Sequence, residues 1–478
     1  MERTEAEAVF EQGRDTVVGV LLALSVQNER LAAQVERLTA RVEKLERELA
    51  KNSRNSSRPP SSDPPGSGSQ RRAKGSSGRA QGGQPGHEGH GRELLPAAAV
   101  DEVIEHWPRA CGCGHVFDLA ERLAVGSPAR HQVEELPPLA VRVSEHRRMR
   151  VRCPQCGTET SGELPAEIGA SAFGPRLQAA VATVAVRNRV SRRDTVKLCE
   201  ELFGARISTG TVDAILTRAG DALQRPHRHL LRRVRRSRAL NIDETGWRTA
   251  GSRRALWGAF TNRLAVYRIA PDRHEREARA LLGRHAGVVT SDRWWAYGHL
   301  PAARRQICWA HLRRDFQAHA EGLGAEQAFG QAGLDVCEQV FWAWEIYQHT
   351  GERHELKQRI RLLRRQLKPI LRQYSGKAPR YKYTRGMARN LLKVWPALWT
   401  FADRRGVQPT NNHAERALRG AVIYRKLSLG SQSEHGERRI ERLLSASTTC
   451  RLQHRSLFEY LAELLAAHVR GDPGPLLA

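Results

Sequence analysis

The chain has 478 residues, with 78 Lys+Arg against 51 Asp+Glu and a formal net charge of +27. That length exceeds what one hydrophobic core serves, so several folded units are expected, and the cationic excess favours a polyanionic partner, nucleic acid first, because neutralised phosphates release condensed counterions. No uninterrupted apolar run reaches membrane-spanning length, which argues against a membrane protein and for a soluble cytoplasmic one, and eight cysteines are too few for a disulfide scaffold of this size.

In chain order, residues 1–50 come first. Leu21, Asn28, Val35, Val42 and Leu49 recur at one heptad position and Leu24, Leu31, Leu38 and Leu45 at the other. Val and Leu in these places, with one polar Asn in the seam, predict a parallel two-stranded coiled coil, hence a homo-oligomer of at least two chains. Packing of an amphipathic helix on the protein's own body is the competing reading. Residues 51–92 turn to Ser, Pro, Gly and Arg with a net charge of +6, and read as a basic disordered linker.

Residues 93–165 hold two cysteine pairs, Cys111 and Cys113 in "CGCGH" and Cys153 and Cys156 in "CPQCG", with a β-rich stretch expected between them. C-x-x-C lets two thiolates meet one tetrahedral zinc, and Gly157 allows the turn. The C-x-C pair is one residue shorter, with His115 as a substitute ligand. A structural Zn²⁺ held by the four cysteines is the expectation.

Residues 166–236 carry successive helical patterns. "SRRDTVKLCEELFG", a break at Gly204 and "STGTVDAILTRAGDAL", with Ser208 and Thr209 as N-cap candidates, outline a helix-turn-helix; a plain helical hairpin explains the same pattern. Arg232, Arg233, Arg235 and Arg236 follow as candidate DNA contacts, although a charge run also serves as a solvated face.

From 237 to 316 the period becomes that of strands. "SRALNIDETGWR" reads as a strand ending at Asp243, "RRALWGAFTNRLAVYRIAP" as two more around a Thr-Asn-Arg turn, "AGVVTSDRWWAYGHL" as a strand ending at Asp292, and "RQICWAHLRRDF" as a strand entering a helix. Residues 317–408 are helix-forming and read as an insertion. In 409–478, "NNHAERALRGAVIYRKLSLG" sets Glu415 at a helix start among Arg416, Arg419, Arg425 and Lys426. On its own, Asn412 with Glu415 reads as a capping box.

Asp243, Asp292 and Glu415 would together be costly without counter-charge, since gathered carboxylates raise one another's pKa, and divalent cations remove that cost. Oxygen-only ligation suits Mg²⁺, and two such ions can serve an in-line phosphoryl transfer. Arg419, Arg425 and Lys426 would then grip DNA phosphates. Alternation alone does not choose between Asp243 and its neighbour Glu244. Trp294, Trp295 and Tyr297 suit either base stacking or packing, and Cys308 and His311 read as packing beside the acids before any metal or DNA contact.

These residues resemble the bacterial transposases of the insertion sequence sixty-six family. The resemblance rests on the zipper-like start, "NSSRPPSSD", the cysteine-rich segment, "DET", "SDRWWAY", "CWAHLRRDF", "NNHAERALR" and "YRKLSLGS". It implies a multidomain α/β protein: an N-terminal coiled coil, a small zinc-binding module, a helix-turn-helix-like region, and a ribonuclease-H-like catalytic core with an all-helical insertion. It further implies a DDE transposase with Asp243, Asp292 and Glu415 as the catalytic, Mg²⁺-holding acids. The DNA partners would be the element's terminal inverted repeats and a target, with accessory proteins of the same element as further candidates, in the nucleoid of a bacterial cytoplasm. A sequence-specific DNA-binding regulator with an inactive nuclease core is the alternative, and an enzyme that stops at hydrolysis a third.

Overall fold

The computed structural model describes residues 8, 10–49, 93–169 and 171–477. The basic segment 51–92 therefore lies outside the described residues. Of the described residues, those up to 49, those of 146–196 and those of 207–477 belong to one compact unit, and 93–145 with 197–206 to another.

Helix α1 (Arg14–Leu49) is a continuous helix of 36 residues. The seam positions Leu21, Leu31, Val35, Leu38 and Val42 are each at least half exposed. No described helix is long and apolar enough to cross a membrane.

In the smaller unit the backbone is largely irregular, with 3-10 turns at Ala97–Ala99 and Leu119–Glu121 and a bridge between Ala110 and Val116. The β-rich stretch expected between the cysteine pairs is not formed. Residues 117–149 contain no strand; their apolar side chains, among them Val125, Val133 and Val143, stay exposed, so no sheet face rewards an extended backbone. In the larger unit only a short hairpin, β1 (Arg150–Arg152) with β2 (Glu159–Ser161), flanks Cys153 and Cys156.

Four helices follow: α2 (Pro175–Val186), α3 (Arg192–Phe203), α4 (Thr209–Ala222) and α5 (Gln224–Arg235). Pro175 opens α2, where its missing N–H costs nothing. The Ser208 hydroxyl accepts the Thr211 N–H at 3.1 Å, so Ser208 is the cap and Thr209 the first helical residue.

The sheet of the larger unit has five strands, β3 (Ala239–Thr249), β4 (Ser252–Phe260), β5 (Ala265–Ala270), β6 (Val288–Ser291) and β7 (Arg305–Ile307), in the order β5-β4-β3-β6-β7. β3, β4 and β5 form an antiparallel meander, and β6 and β7 add in parallel on the other side of β3. The turn after β4 is closed by Thr261, whose hydroxyl accepts the N–H groups of Arg263 (3.2 Å) and Leu264 (2.9 Å). Helix α6 (Glu275–Leu282) links β5 to β6.

Five helices fill the next stretch: α7 (Trp309–Ala320), α8 (Ala325–Thr350), α9 (Arg353–Tyr374), α10 (Arg385–Lys393) and α11 (Thr400–Asp403). Their core is continuous with the sheet, since Val288 and Ile307 pack in one cluster with Trp309, Phe316, Phe329, Leu363 and Trp399. α8 crosses α7 at Gly330, where a Cβ would stand 2.0 Å from the Ala320 nitrogen; only glycine permits that approach.

Helices α12 (Asn412–Ser428), α13 (Glu434–Leu452) and α14 (Leu457–Arg470) complete the unit. α13 covers the edge of the sheet in an unusual way. Glu441, Ser445 and Thr449, four residues apart on one helix face, accept the N–H groups of Ile269 (2.6 Å), Tyr267 (2.9 Å) and Ala265 (3.0 Å) of β5. The helical repeat thus matches alternate residues of an edge strand, and backbone donors that would invite another strand are spent internally.

Candidate active site

β3 does not end at Asp243. It runs on to Thr249 because β4 stays paired with it, Asp243 opposite Gly258. The parallel ladder with β6, however, ends at Asn241 and Thr290. Asp243 therefore emerges just where β6 stops, and Asp292 is the first residue beyond β6. The carboxyl ends of parallel strands are where an α/β sheet opens to a ligand.

Both acids are part-buried, and burial is the first reason their carboxyls titrate above the usual range. Asp243 stands well above it: the charges of Glu244, Asp292 and Glu415 push the same way, and only the Glu244 N–H, 3.0 Å from Asp243 Oδ1, opposes them. Asp292 is eased by the Trp294 N–H at 3.0 Å and by Arg305. Glu244, left open by alternation, is also part of the group. Burial pushes it up to about 6, the Asp292 charge acts on it, and the Tyr297 hydroxyl donates to its Oε2.

The loop carrying Asp292 is held by Arg305, a buried residue to which the sequence pattern gives no role. Its guanidinium donates to the carbonyls of Asp292 (2.7 Å) and Tyr297 (3.0 Å) and to Ser291 Oγ (3.1 Å). Burial pulls its pKa down to about 10, so it still carries charge at neutral pH. The second arginine of a pair opening a short strand, in the solvated-looking "LPAARR", carries little signal. Tyr297 is fully buried and committed to Glu244, which removes it from the candidate stacking residues. Trp294 and Trp295 are exposed, with ring centroids 5.8 Å apart.

Glu415 is exposed on the first turn of α12. The capping-box reading is overturned: α12 begins at Asn412, the cap position is Asn411, and no side chain caps it. Asn411 is buried and its amide is used elsewhere, donating to the Ile242 carbonyl and accepting from Asn241 Nδ2, each at 2.9 Å. Its N–H reaches Cys308 Sγ at 3.0 Å. Cys308 is thus a packing residue that ties α12 to the start of α7. His311 Nδ1 lies 3.6 Å from Glu415 Oε1. Burial, helped by Arg314, lowers the imidazole to about 4, so at neutral pH it is uncharged and this approach is not an ion pair.

Of the basic residues singled out, Arg232, Arg233, Arg236, Arg419 and Lys426 are exposed. Arg425 donates to the Gly246 carbonyl, and Arg235 to the carbonyls of Ala280 (2.6 Å) and Leu281 (3.0 Å) at the end of α6; both are spent on the protein's own backbone. Each cysteine pair is folded into its own tight turn. The Gly114 N–H bonds the Cys111 carbonyl and the Gly157 N–H the Cys153 carbonyl, both at 2.9 Å with positive φ at the glycine. Hydrogen bonding, first from Thr158 and then from Cys153, lowers the Cys156 thiol to about 7, which favours a thiolate. Among the described residues, no three His, Cys, Asp or Glu side chains stand as the ligands of one metal ion.

The fold and site define a mixed α/β protein with a cluster of carboxyl groups at the carboxyl end of its parallel strands. Residues 170–439 match the transposase IS66 family, and the chain belongs to that family. Residues 3–93 match a family of unknown function, DUF6444. Three proteins of Sinorhizobium fredii (strain NBRC 101917 / NGR234), each carrying the name "uncharacterized protein", are similar. y4qI is 24% identical over 56% of this chain and 55% of its own length, so the match spans little more than half of that relative. y4hP is 24% identical over 77% and 72%, and y4jD 23% over 78% and 77%.

Proposed function

We propose that the protein is a DNA transposase that hydrolyses a phosphodiester at its element's ends and joins the freed 3′-hydroxyl to target DNA, with Asp243, Asp292 and Glu415 as the acids that carry the chemistry. The carrying observation is the position of Asp243: part-buried, beyond the last β6 pair, and acted on by the charges of Glu244, Asp292 and Glu415. A sheet of three antiparallel strands with two parallel ones added beside the first supports a ribonuclease-H-like core.

Carboxyls held above their usual range fit a divalent cation, which would restore their charge. When bound, Mg²⁺ ions would supply charge for activating a water or hydroxyl and for easing departure of the leaving oxygen. Asp243 and Asp292 would hold the metal, with Glu415 joining them; Arg305 keeps the Asp292 loop in place, and Asn411 ties the start of α12, which carries Glu415, to the strand that carries Asp243. His311, neutral at 3.6 Å from Glu415, makes no ion pair that would compete with a bound cation for that carboxylate. Arg419 and Lys426, exposed on the same helix, would meet the phosphates.

The exposed seam of α1 supports self-association, and sedimentation of the 1–50 peptide as a dimer would bear it out. The two cysteine turns each offer a pair of thiols suited to structural Zn²⁺. The central test uses purified protein, labelled element ends and Mg²⁺. Strand cleavage and joined products are expected from the wild type, and both should vanish in Asp292→Asn while DNA binding persists. Cleavage undiminished in that variant would remove the assignment, and binding without cleavage by the wild type would favour a regulator.

A further inference from the structure

At the end of the sheet away from the acids lies a cavity of about 530 Å³ lined by Arg238, Arg304, Arg404 and Arg405. Its position follows from topology. Arg238 immediately precedes β3, Gly287 precedes β6 and Arg304 precedes β7, so the cavity sits where all three parallel strands begin. Asp243 and Asp292 lie where the parallel ladder finishes. Arg238 to Asp243 and Gly287 to Asp292 each span five residue steps, about 16 Å of strand at ~3.3 Å per residue.

The cavity carries cations without their anions. None of its lining residues is acidic. Among the described residues no carboxylate is within ion-pair distance of any of the four arginines, whereas the neighbouring acid, Asp403, is taken by Arg364 at 2.7 Å. Arg304 is steadied on the rim by a 3.4 Å bond to the Ala286 carbonyl. Gly287 forms part of the wall because a Cβ there would stand 2.4 Å from the Arg238 carbonyl oxygen, so the two strand starts approach as only glycine allows. The space is many times the ~30 Å³ of one water, enough for a phosphodiester unit rather than a single bound ion. Guanidinium groups are the side chains best matched to phosphate oxygens.

We propose that this cavity holds a stretch of DNA phosphodiester backbone separate from the one presented to the acids, a second DNA contact on the opposite end of the sheet. It rests on the reading of the protein as a DNA-acting enzyme, and adds where a non-reacting part of the nucleic acid is held. The chain's net charge of +27 favours a polymer of phosphates over a small metabolite.

The test is binding of the full chain to a fluorescein-labelled duplex of arbitrary sequence, by anisotropy across a salt series. Each phosphate that is no longer neutralised lowers the slope of log K against log salt by about 0.9, so Arg238→Ala/Arg404→Ala/Arg405→Ala should flatten it by about 2 to 3 and weaken binding roughly tenfold or more. The matching lysine variant should recover most of the slope, since charge is retained. Should the triple alanine variant fail to fold, Arg405→Ala alone and the lysine variant carry the same reading, a flattening of about 1 for the single change. An unaltered slope in a folded variant, with the wild type binding and cleaving DNA, overturns this contact and leaves the proposed function standing. A wild type that neither binds nor cleaves overturns the function itself. Pyrophosphate is titrated at constant ionic strength as a second probe: if it binds the wild type but not the alanine variant, while both bind DNA alike, the cavity takes a small phosphate and the DNA assignment is overturned.

Discussion

Asn411 Nδ2 donates to the Ile242 carbonyl oxygen at 2.9 Å, tying the residue before α12 to the residue before Asp243. One buried amide therefore sets the spacing between the helix that carries Glu415 and the strand that carries Asp243. Asn411→Leu leaves that carbonyl and Asn241 without their partner, and should destabilise the protein by about 1–3 kcal/mol. Cleavage of labelled ends is expected to fall much further than DNA binding. Equal losses of both would mean that Asn411 only holds the fold together.

Glu244 gives a pH-dependent stability with a definite sign. Its folded pKa, pushed up to about 6, exceeds the ordinary 4.5, so the unfolded chain ionises first as pH rises. Its favourable contribution is complete below 4.5 and is lost on passing through 6, by about 2 kcal/mol in all at 1.36 kcal/mol per pH unit. Metal-free Glu244→Gln, which keeps an acceptor for Tyr297, should thus be more stable than wild type above pH 6 and no better below pH 4.5. Urea melts at a series of pH values measure this.

His311 works in the opposite direction. Its folded value of about 4 lies below the ordinary 6.5, so protons bind the unfolded state first and stability drains away as pH falls from 6.5 towards 4. The loss amounts to about 3 kcal/mol. His311→Phe should flatten that limb of the acid-unfolding curve, and an unchanged limb would mean that the imidazole titrates normally.

The covered sheet edge makes a prediction independent of catalysis. Ser445→Ala strips the acceptor from the buried Tyr267 N–H, a loss of about 1–3 kcal/mol, and amide exchange at Tyr267 should accelerate. Ser445→Thr keeps the hydroxyl and should recover part of the stability.

Packing of the inserted helices depends on the α7–α8 crossing. Gly330→Val must push α8 off Ala320, at a cost of about 1–3 kcal/mol or more for overpacking. A lowered Tm is the expected readout, and a Tm equal to that of wild type would mean the crossing relaxes freely.

Much of this was legible beforehand where chemistry is local. The strands around Asp243 and Asp292, the Thr261 turn and the Ser208 cap follow from alternation, turn residues and capping, each a matter of a few adjacent side chains. The stretch 117–149 has strand-like alternation yet forms no strand, because a strand exists only where a partner accepts its backbone groups. Glu415 had a capping motif, but the backbone at Asn411 starts the helix one residue earlier than that motif requires. Arg305 and Asn411 escaped notice because their partners stand elsewhere: Arg305 holds carbonyls of the Asp292 loop, and Asn411 reaches a strand 169 positions away.

By itself, then, the order of residues determined the basic character of the chain, the family to which it belongs, and the acids worth watching, since charge and motif are carried in the residues themselves. Only the tertiary structure decided that Asp243 clears the end of β6, that Glu244 joins it, that Tyr297 is buried, and that four arginines gather at the far end of the sheet. Those outcomes depend on where one ladder stops while another continues, a balance of pairing and burial between segments that no single segment contains.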